Sequence, residues 1–246
     1  MLRSLLIGSA IAAALAAPAL AQSAPETYDW TGPYVGVNLG YGGGDFRYPF
    51  SGTADIAGKN PVAGGLRQSS SGVLGGGQIG YNFEMPNGIV LGAETDLGAS
   101  RIQGRSSYSS LDSLGDATSD ALRSRIDYLG TVRARVGEAM FGGRFVPYLT
   151  GGFAYGGVRT DAATSPGSSF ESARSTQTGW TAGAGADYAL TRHLSFRAEY
   201  LYVDLGRTAL ASDATRFSVP GADIYGASVQ ERANANVMRV GVNYKF

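Results

Sequence analysis

Charged side chains at alternate positions are the residues of this sequence with the clearest chemical potential. Glu94 and Asp96 are two residues apart, and so are Arg133 and Arg135. Residues two apart point to the same side of a β-strand. Carboxylates and guanidinium groups gathered on one side of a sheet can form buried ion pairs, or a charged ring that selects ions in a water-filled pore. Both interpretations are open at this stage.

We predict that the charged residues of the alternating segments share one internal face. The set comprises Glu94, Asp96, Arg125, Asp127, Arg133, Arg135, Asp187, Arg197, Glu199 and Arg239. The two signs are evenly matched, and an unpaired buried charge costs about 3–5 kcal/mol. The pattern therefore favours a structural ladder of ion pairs, with an ion-selective pore as the alternative.

Residues suited to catalysis or cofactor binding are sparse. The sole histidine, His193, stands two positions before Ser195, and a base beside a hydroxyl could form a nucleophile. We expect His193 in a turn and Ser195 on an internal face, an arrangement that disfavours catalysis. One histidine and no cysteine cannot build a transition-metal site, and the G-x-G-x-x-G match at 75–80 opens no helix. The sequence predicts no enzyme, no metal site and no cofactor.

Strand-period alternation predicts the elements that position the charges. Eight segments place apolar residues on one face and small or polar residues on the other. They are 34–41, 73–84, 91–97, 125–137, 145–155, 180–188, 194–202 and 238–246. Segments of about ten residues suit a tilted bilayer crossing.

Short and long connections between these segments alternate without exception. The short ones are 85–88, 138–144 and 190–193, and the long ones are 43–72, 99–124, 156–178 and 206–233. This alternation is typical of outer-membrane barrels. An open sheet edge inside a bilayer leaves backbone groups unpaired at a high energetic cost. We therefore predict an all-β, eight-stranded, antiparallel up-and-down transmembrane barrel with both termini periplasmic. Tyr28, Trp30 and Tyr34 are expected in its interfacial aromatic belt.

Composition and the N-terminal segment agree with an exported protein. The 246 residues include 37 glycines, only 16% are charged, and the 20 basic and 20 acidic residues cancel, which argues against a nucleic-acid partner. Residues 1–21 have a basic start, an apolar stretch and small residues at Ala19 and Ala21, as in a cleaved signal peptide. Residues 22–246 are expected to form the barrel domain.

Several stretches resemble the small outer-membrane immunogenic, porin-like proteins of alphaproteobacteria, the RopB type. They are 28–36, 92–96, 129–137, 147–152, 179–185 and 198–204. The alternating residues Val240, Val242, Tyr244 and Phe246 resemble the strand signal read by the outer-membrane assembly machinery. The resemblance implies an OmpA-like barrel without a periplasmic domain, surrounded by outer-membrane lipid and lipopolysaccharide. Haem binding by some relatives raises the option that the loop tyrosines Tyr48, Tyr108 and Tyr225 ligate iron.

The predicted function is a structural outer-membrane barrel that contributes to envelope integrity and to the exposed cell surface. The alternatives are a small-solute channel and a surface receptor or adhesin acting through its long extracellular loops. The sequence names no ligand for those loops.

Overall fold

The fold consists almost entirely of long β-strands. The computed structural model describes residues 28–53, 61–111, 117–164, 171–214, 217–219 and 222–246, so the predicted signal segment with Ala19 and Ala21 lies outside it. The strands are β1 (Gly32–Thr53), β2 (Pro61–Glu84), β3 (Ile89–Leu111), β4 (Ala117–Glu138), β5 (Phe145–Thr164), β6 (Glu171–Ala189), β7 (Leu194–Ala214), β8 (Phe217–Val219) and β9 (Ala222–Lys245). Among the described residues, no helix is long and apolar enough to cross a membrane.

The sheet closes on itself. Each strand from β1 to β6 pairs antiparallel with the next, β7 pairs with β9, and β9 pairs back with β1. Closure is in register along most of β1, from the Tyr34–Lys245 pair to the Arg47–Arg232 pair. The three-residue β8 pairs only with β9. The result is a closed eight-stranded antiparallel barrel, which confirms the predicted fold class.

The three tight connections lie at one end of the barrel, which we call the turn end. Gly88 has a φ of 83°, and its N–H donates to the Met85 carbonyl at 2.9 Å. A positive φ favours glycine, which has no Cβ to clash with its own backbone. The start of β1 and the end of β9 meet at the turn end, and we call the opposite end the loop end.

The eight barrel strands are about twice as long as the sequence pattern predicted and run from 19 to 24 residues. Most of the residues predicted to form long loops instead continue the strands as paired ribbons; β1 and β2, for example, remain paired from Gly43–Ser71 out to Thr53–Pro61. Backbone hydrogen bonds hold these ribbons together although their sequences are rich in serine and glycine. The alternation of apolar residues ends before the strands do, and the prediction from that pattern was therefore too short.

Among the described residues, the large apolar side chains of the outer wall lie toward the turn end. Side chains such as Val37, Leu39, Leu149 and Met238 are each at least 64% exposed on the outer wall of the barrel. We call this surface the apolar belt. Its main members are Val35, Val37, Leu39, Tyr41, Val73, Ile79, Tyr81, Phe83, Leu91, Leu97, Val132, Val136, Leu149, Phe153, Trp180, Tyr188, Phe196, Tyr200, Met238, Val240 and Val242. So much exposed apolar surface needs an apolar solvent, as the predicted lipid contact provides.

Two apolar clusters fill parts of the interior. The turn-end cluster consists of Tyr28, Trp30, Val90, Val146 and Ala189. Further toward the loop end, the apolar layer consists of Phe46, Tyr48, Leu74, Ile102, Ile126, Leu129, Ala154, Val158, Leu201, Val203, Leu205, Ala233, Ala235 and Val237. Tyr28, Trp30 and Tyr34 are all buried, which corrects their predicted place in an outer aromatic belt. Tyr28 and Trp30 pack inside the turn end, and Tyr34 lies on the inward row of β1.

A charge placed on the apolar belt should destabilise the barrel according to its depth. We expect Val37→Arg, in the middle of the belt, to lower the free energy of unfolding by about 2–4 kcal/mol. Ser51→Arg, an outward position near the loop end of the same strand, should cost about 0–1 kcal/mol. Denaturant titration of the refolded chain in lipid vesicles measures both, and equal effects would contradict the assignment of the belt to lipid.

Candidate functional site

A layer of buried charges crosses the barrel between the two apolar clusters. We call it the charged layer, and its members are Glu94, Asp96, Arg133, Arg135, Asp187, Arg197, Glu199 and Arg239. They come from β3, β4, β6, β7 and β9, and all are buried on the inward rows of these strands. The structure therefore places eight of the predicted ladder residues together in the lumen, four carboxylates with four guanidinium groups.

Arg133 on β4 is the most connected cation of the charged layer. Its Nη1 donates to Glu199 Oε1 at 2.8 Å, across the lumen on β7. Its Nη2 donates to Glu94 and to Asp96 Oδ2, the latter at 3.1 Å. One guanidinium thus joins three carboxylates from two strands.

Arg197 and Asp187 form a forked pair on the neighbouring strands β7 and β6. Arg197 Nε donates to Asp187 Oδ1 at 2.7 Å and Nη2 donates to Oδ2 at 3.0 Å. Such bidentate contacts combine strength with fixed geometry. Arg197 also donates to Glu94 on the far wall, and Arg135 Nη2 donates to Asp187 Oδ2 at 2.5 Å. The forked pair is therefore anchored to β3 and β4.

Arg239 ties the last strand to the same network. Its Nε donates to Glu199 Oε2 at 2.6 Å on the adjacent β7, and its Nη2 donates to Asp96 Oδ2 at 3.1 Å on β3. Because β9 also closes the barrel against β1, this contact couples closure of the sheet to the filling of its interior.

Hydroxyl groups complete the coordination of the carboxylates. Tyr34 donates to Glu94, Tyr148 donates to Glu199 Oε1 at 2.9 Å, and Thr131 donates to Asp96 Oδ2 at 2.6 Å. The Arg135 guanidinium also lies over the Tyr148 ring, 3.9 Å from its centre. These donors stabilise charges that are withdrawn from water.

Glycines make room for the two tyrosines. A Cβ at Gly185 would stand 2.5 Å from Tyr148 Oη, and one at Gly80 would collide with Tyr34 Oη. Both glycines therefore belong to the packing of the charged layer and not only to the curvature of the barrel wall.

The clusters on either side separate the charged layer from bulk water. At the turn end, Trp30 Nε1 donates to the Gly143 carbonyl at 2.6 Å, and the Tyr28 and Trp30 rings pack edge to face at 4.6 Å. Burial, with Asp187 and Asp29 nearby, raises the pKa of Tyr28 to about 12. Toward the loop end, the apolar layer places fully buried Ile102, Ile126 and Val237 inside the barrel.

Arg125 and Asp127 are placed elsewhere, which corrects the predicted ladder. They form an ion pair at 2.7 Å on the outer side of β4, with side chains 40% and 39% exposed. Both Ile126 and Leu129 point inward, so the alternation shifts between them, at an irregularity where β4 has one extra residue relative to β5. The described β4 side chains beyond this bulge, from Arg123 to Ile126, are turned to the opposite face from the one that simple alternation gives.

The residues considered for other chemistry are also separated from one another. His193 is exposed in a turn and its Nδ1 lies 3.0 Å from the Lys245 carbonyl oxygen, whereas Ser195 is buried in the lumen; no hydrogen bond joins these two described residues. Tyr48, predicted on a loop, lies inside the barrel because β1 extends past it, and it contacts Ser124 and Glu231. The side chains of Tyr108 and Tyr225 lie outside the described part of the chain.

Several lumen residues were absent from the prediction. Tyr34, Tyr148 and Thr131 support the carboxylates, and Gln78 bonds to Asn243 beside them. All of these residues lie on inward rows, so the alternation of the sequence could have identified them. The prediction considered only charged residues and therefore omitted them. The predicted assembly residues Val240, Val242, Tyr244 and Phe246 are exposed on the outer surface of the last strand and at its end.

Removal of Arg133 should strongly destabilise the barrel. Arg133→Ala leaves Glu94, Asp96 and Glu199 with fewer partners in a dry interior, and we expect a loss of about 3–5 kcal/mol. Arg125→Ala, which breaks an outer ion pair on the same strand, should cost less than about 1 kcal/mol. The measurement is the temperature at which the folded, fast-migrating form is lost on gels. An unchanged temperature for Arg133→Ala would show that its site is solvated.

Comparison with known proteins identifies the family. The family model described as an outer membrane protein beta-barrel domain matches residues 10–246. The 31 kDa outer-membrane immunogenic protein of Brucella melitensis is 38% identical over 232 residues, which cover 93% of this chain and 89% of that protein. The 25 kDa outer-membrane immunogenic protein of Brucella canis is 29% identical over 93% of this chain and 84% of its own length.

A solved structure supports the fold. The outer membrane protein OprG of Pseudomonas aeruginosa superimposes with a TM-score of 0.50 at 16% sequence identity, over 89% of this chain and 98% of that one. At this identity the likeness concerns the fold alone. The family match and the Brucella relatives confirm the resemblance seen in the sequence: the chain belongs to the outer-membrane β-barrel protein family.

Proposed function

We propose that this protein is a structural, non-conducting barrel of the outer membrane that contributes to envelope integrity and to the exposed cell surface. The observation that carries the proposal is the filling of the lumen by three successive layers. The turn-end cluster, the charged layer and the apolar layer follow one another along the barrel axis. An eight-stranded barrel has an interior just wide enough for its own side chains to fill.

The charges inside the barrel are arranged to satisfy one another. An ion-selective ring needs charges that face water and are free to meet a passing ion. Here each guanidinium of the charged layer has at least one carboxylate partner, as in the Arg133–Glu199 and Arg239–Glu199 contacts. A permeating ion would have to break these contacts and then pass the apolar layer, where the buried Glu231 carboxyl group is already bonded to Tyr48, Thr160 and Gln177. Both steps oppose conduction.

The proposal includes an orientation. Outer-membrane barrels keep short turns on the periplasmic side and longer loops outside. The three tight connections and the strand ends at Gly32 and Lys245 share the turn end. We therefore assign the turn end and both termini to the periplasm and the loop end to the cell exterior.

The same proposal covers partners and the absence of catalysis. The apolar belt suits outer-membrane lipid, and the alternating residues from Val240 to Phe246 suit recognition by the outer-membrane assembly machinery. The separation of His193 from Ser195 supports a role without catalysis. Ligand recognition by the loops stays a hypothesis, because 54–60, 112–116 and 165–170 lie outside the described residues.

Single-channel recording tests the closed lumen. The mature chain, refolded and inserted into planar bilayers, should show no steady conductance, because the charged and apolar layers leave no aqueous path. A conducting porin treated identically serves as the positive control for the recordings. The heat-dependent gel mobility of the same preparation establishes that the barrel is folded.

Reproducible openings would contradict the proposal if they depended on the lumen. The decisive comparison is between Arg133→Gln, inside the barrel, and Arg125→Gln, outside it. Openings whose ion selectivity changes with the first variant and not with the second would make the protein a small-solute channel.

A further inference from the structure

Arginines stand on the outer wall of all eight barrel strands, beyond the apolar belt. Arg67, Arg47, Arg232 and Arg207 lie on β2, β1, β9 and β7. Arg101, Arg125, Arg159 and Arg174 occupy β3, β4, β5 and β6. We call these residues the arginine girdle. No other residue type recurs in this way around the described part of the loop end.

The backbone register brings half of the girdle into one continuous row. Arg47 is directly opposite Arg67 across β1 and β2 and opposite Arg232 across β1 and β9, and Arg232 is in turn opposite Arg207 on β7. Neighbouring strands are about 4.8 Å apart, so the row spans about 15 Å. We call these four residues the arginine row. A shorter row, Arg125–Arg159–Arg174, lies across β4, β5 and β6.

The arginine row faces outward and is only partly neutralised. Arg47 is exposed between the buried Phe46 and Tyr48, so it points away from the lumen. Asp45 pairs with Arg67 and Asp204 pairs with Arg232, each at 2.5 Å. Within the described part of the chain, Arg47 and Arg207 have no carboxylate at ion-pair distance.

Four adjacent cations on one sheet face repel one another. Like charges directly opposite each other destabilise a strand pair, and among the described residues only Asp45 and Asp204 form ion pairs with the row. An external anion would relieve the remaining repulsion. Guanidinium groups present paired N–H donors that match the oxygens of phosphate and carboxylate groups.

The height of the row indicates where that anion would come from. Arg47 lies six residues beyond Tyr41, a belt residue with only Gly43 and Asp45 between them on the outward row. At about 3.4 Å per residue and a tilt of about 40°, this is about 15 Å along the membrane normal. Trp180 and Tyr202 pack together below the level of Arg207, as aromatic residues do at a membrane interface. Arg47 therefore lies beyond the hydrocarbon, on the headgroup side of the outer leaflet.

We propose that the arginine girdle, and the arginine row above all, binds the phosphate and carboxylate groups of lipopolysaccharide in the outer leaflet. This inference rests on the orientation in the proposed function. Lipopolysaccharide carries several anionic groups on one molecule, whereas phosphatidylglycerol carries a single phosphate. A row of four guanidinium groups beside two described carboxylates matches the multivalent lipid.

Replacing the two arginines of the row that form no ion pair with a described carboxylate tests the proposal. The variant combines Arg47→Gln with Arg207→Gln, and its control combines Arg144→Gln with Arg192→Gln, the same charge change at the turn end. Lipopolysaccharide is titrated calorimetrically into each refolded mature chain. We expect the row variant to bind it about tenfold or more weakly, with the control unchanged. The heat-dependent gel mobility of every variant verifies folding.

Two results would overturn the proposal. One is an unchanged affinity of the row variant for lipopolysaccharide. The other is an equal loss toward phosphatidylglycerol vesicles or inorganic phosphate, which would mark a general anion site and not a site for lipopolysaccharide.

A separate measurement distinguishes failure of the orientation from failure of the binding site. The chain has no cysteine, so Ser51→Cys introduces a single label site near the loop end. Labelling of intact cells by an impermeant reagent supports the orientation whatever the lipid titration shows. Absence of labelling, with labelling after lysis, would overturn the orientation and with it the placement of the girdle in the outer leaflet.

Discussion

The constraint on which the rest of the structure depends is that every charge buried in the barrel must find a partner there. Burying an ion costs several kcal/mol, and this is offset only by well-made ion pairs and hydrogen bonds. The eight-membered charged layer meets this condition with contacts across the lumen, such as Arg133–Glu199 and Arg239–Asp96, that join strands not paired in the sheet. Strand pairing fixes only the positions of neighbouring strands. The contacts across the lumen fix the distance between opposite walls and so hold the barrel at one diameter.

The polarity of the barrel wall changes along the barrel axis, and it changes in opposite directions on the inner and outer surfaces. Around the charged layer the interior is polar and the outer surface is apolar, as a lipid solvent requires. Nearer the loop end the interior is mostly apolar, with Ile102, Ile126 and Val237 beside the hydrogen-bonded Glu231, while the outer surface carries the arginine girdle. The inversion follows from the change of solvent outside, from hydrocarbon to hydrated headgroups. The same strands thereby provide a membrane-spanning wall, a closed lumen and the arginine girdle.

The sequence allowed prediction of the parts of the fold that obey a strict period of two. Alternation identified eight strands, their outward faces within the apolar belt and eight of the ten predicted lumen charges. It failed at Arg125 and Asp127, because one extra residue in β4 reverses the faces and leaves no mark in composition. It also missed the strand extensions, since outside the bilayer both faces of a strand can be polar. Trp30 and Tyr34 were misplaced because an aromatic residue suits either an interface or a filled lumen.

The most direct test that the buried charges stabilise one another is a double-mutant cycle on the forked pair. The variants are Asp187→Asn, Arg197→Gln and their combination, each unfolded by denaturant in lipid vesicles. The exposed pair Asp45–Arg67 provides the reference cycle. We predict a coupling energy of about 1–3 kcal/mol between Asp187 and Arg197, and a clearly smaller one for the solvent-exposed reference pair. A coupling near zero between Asp187 and Arg197 would contradict the account, because it would mean that water, and not the opposite charge, satisfies each group in the lumen.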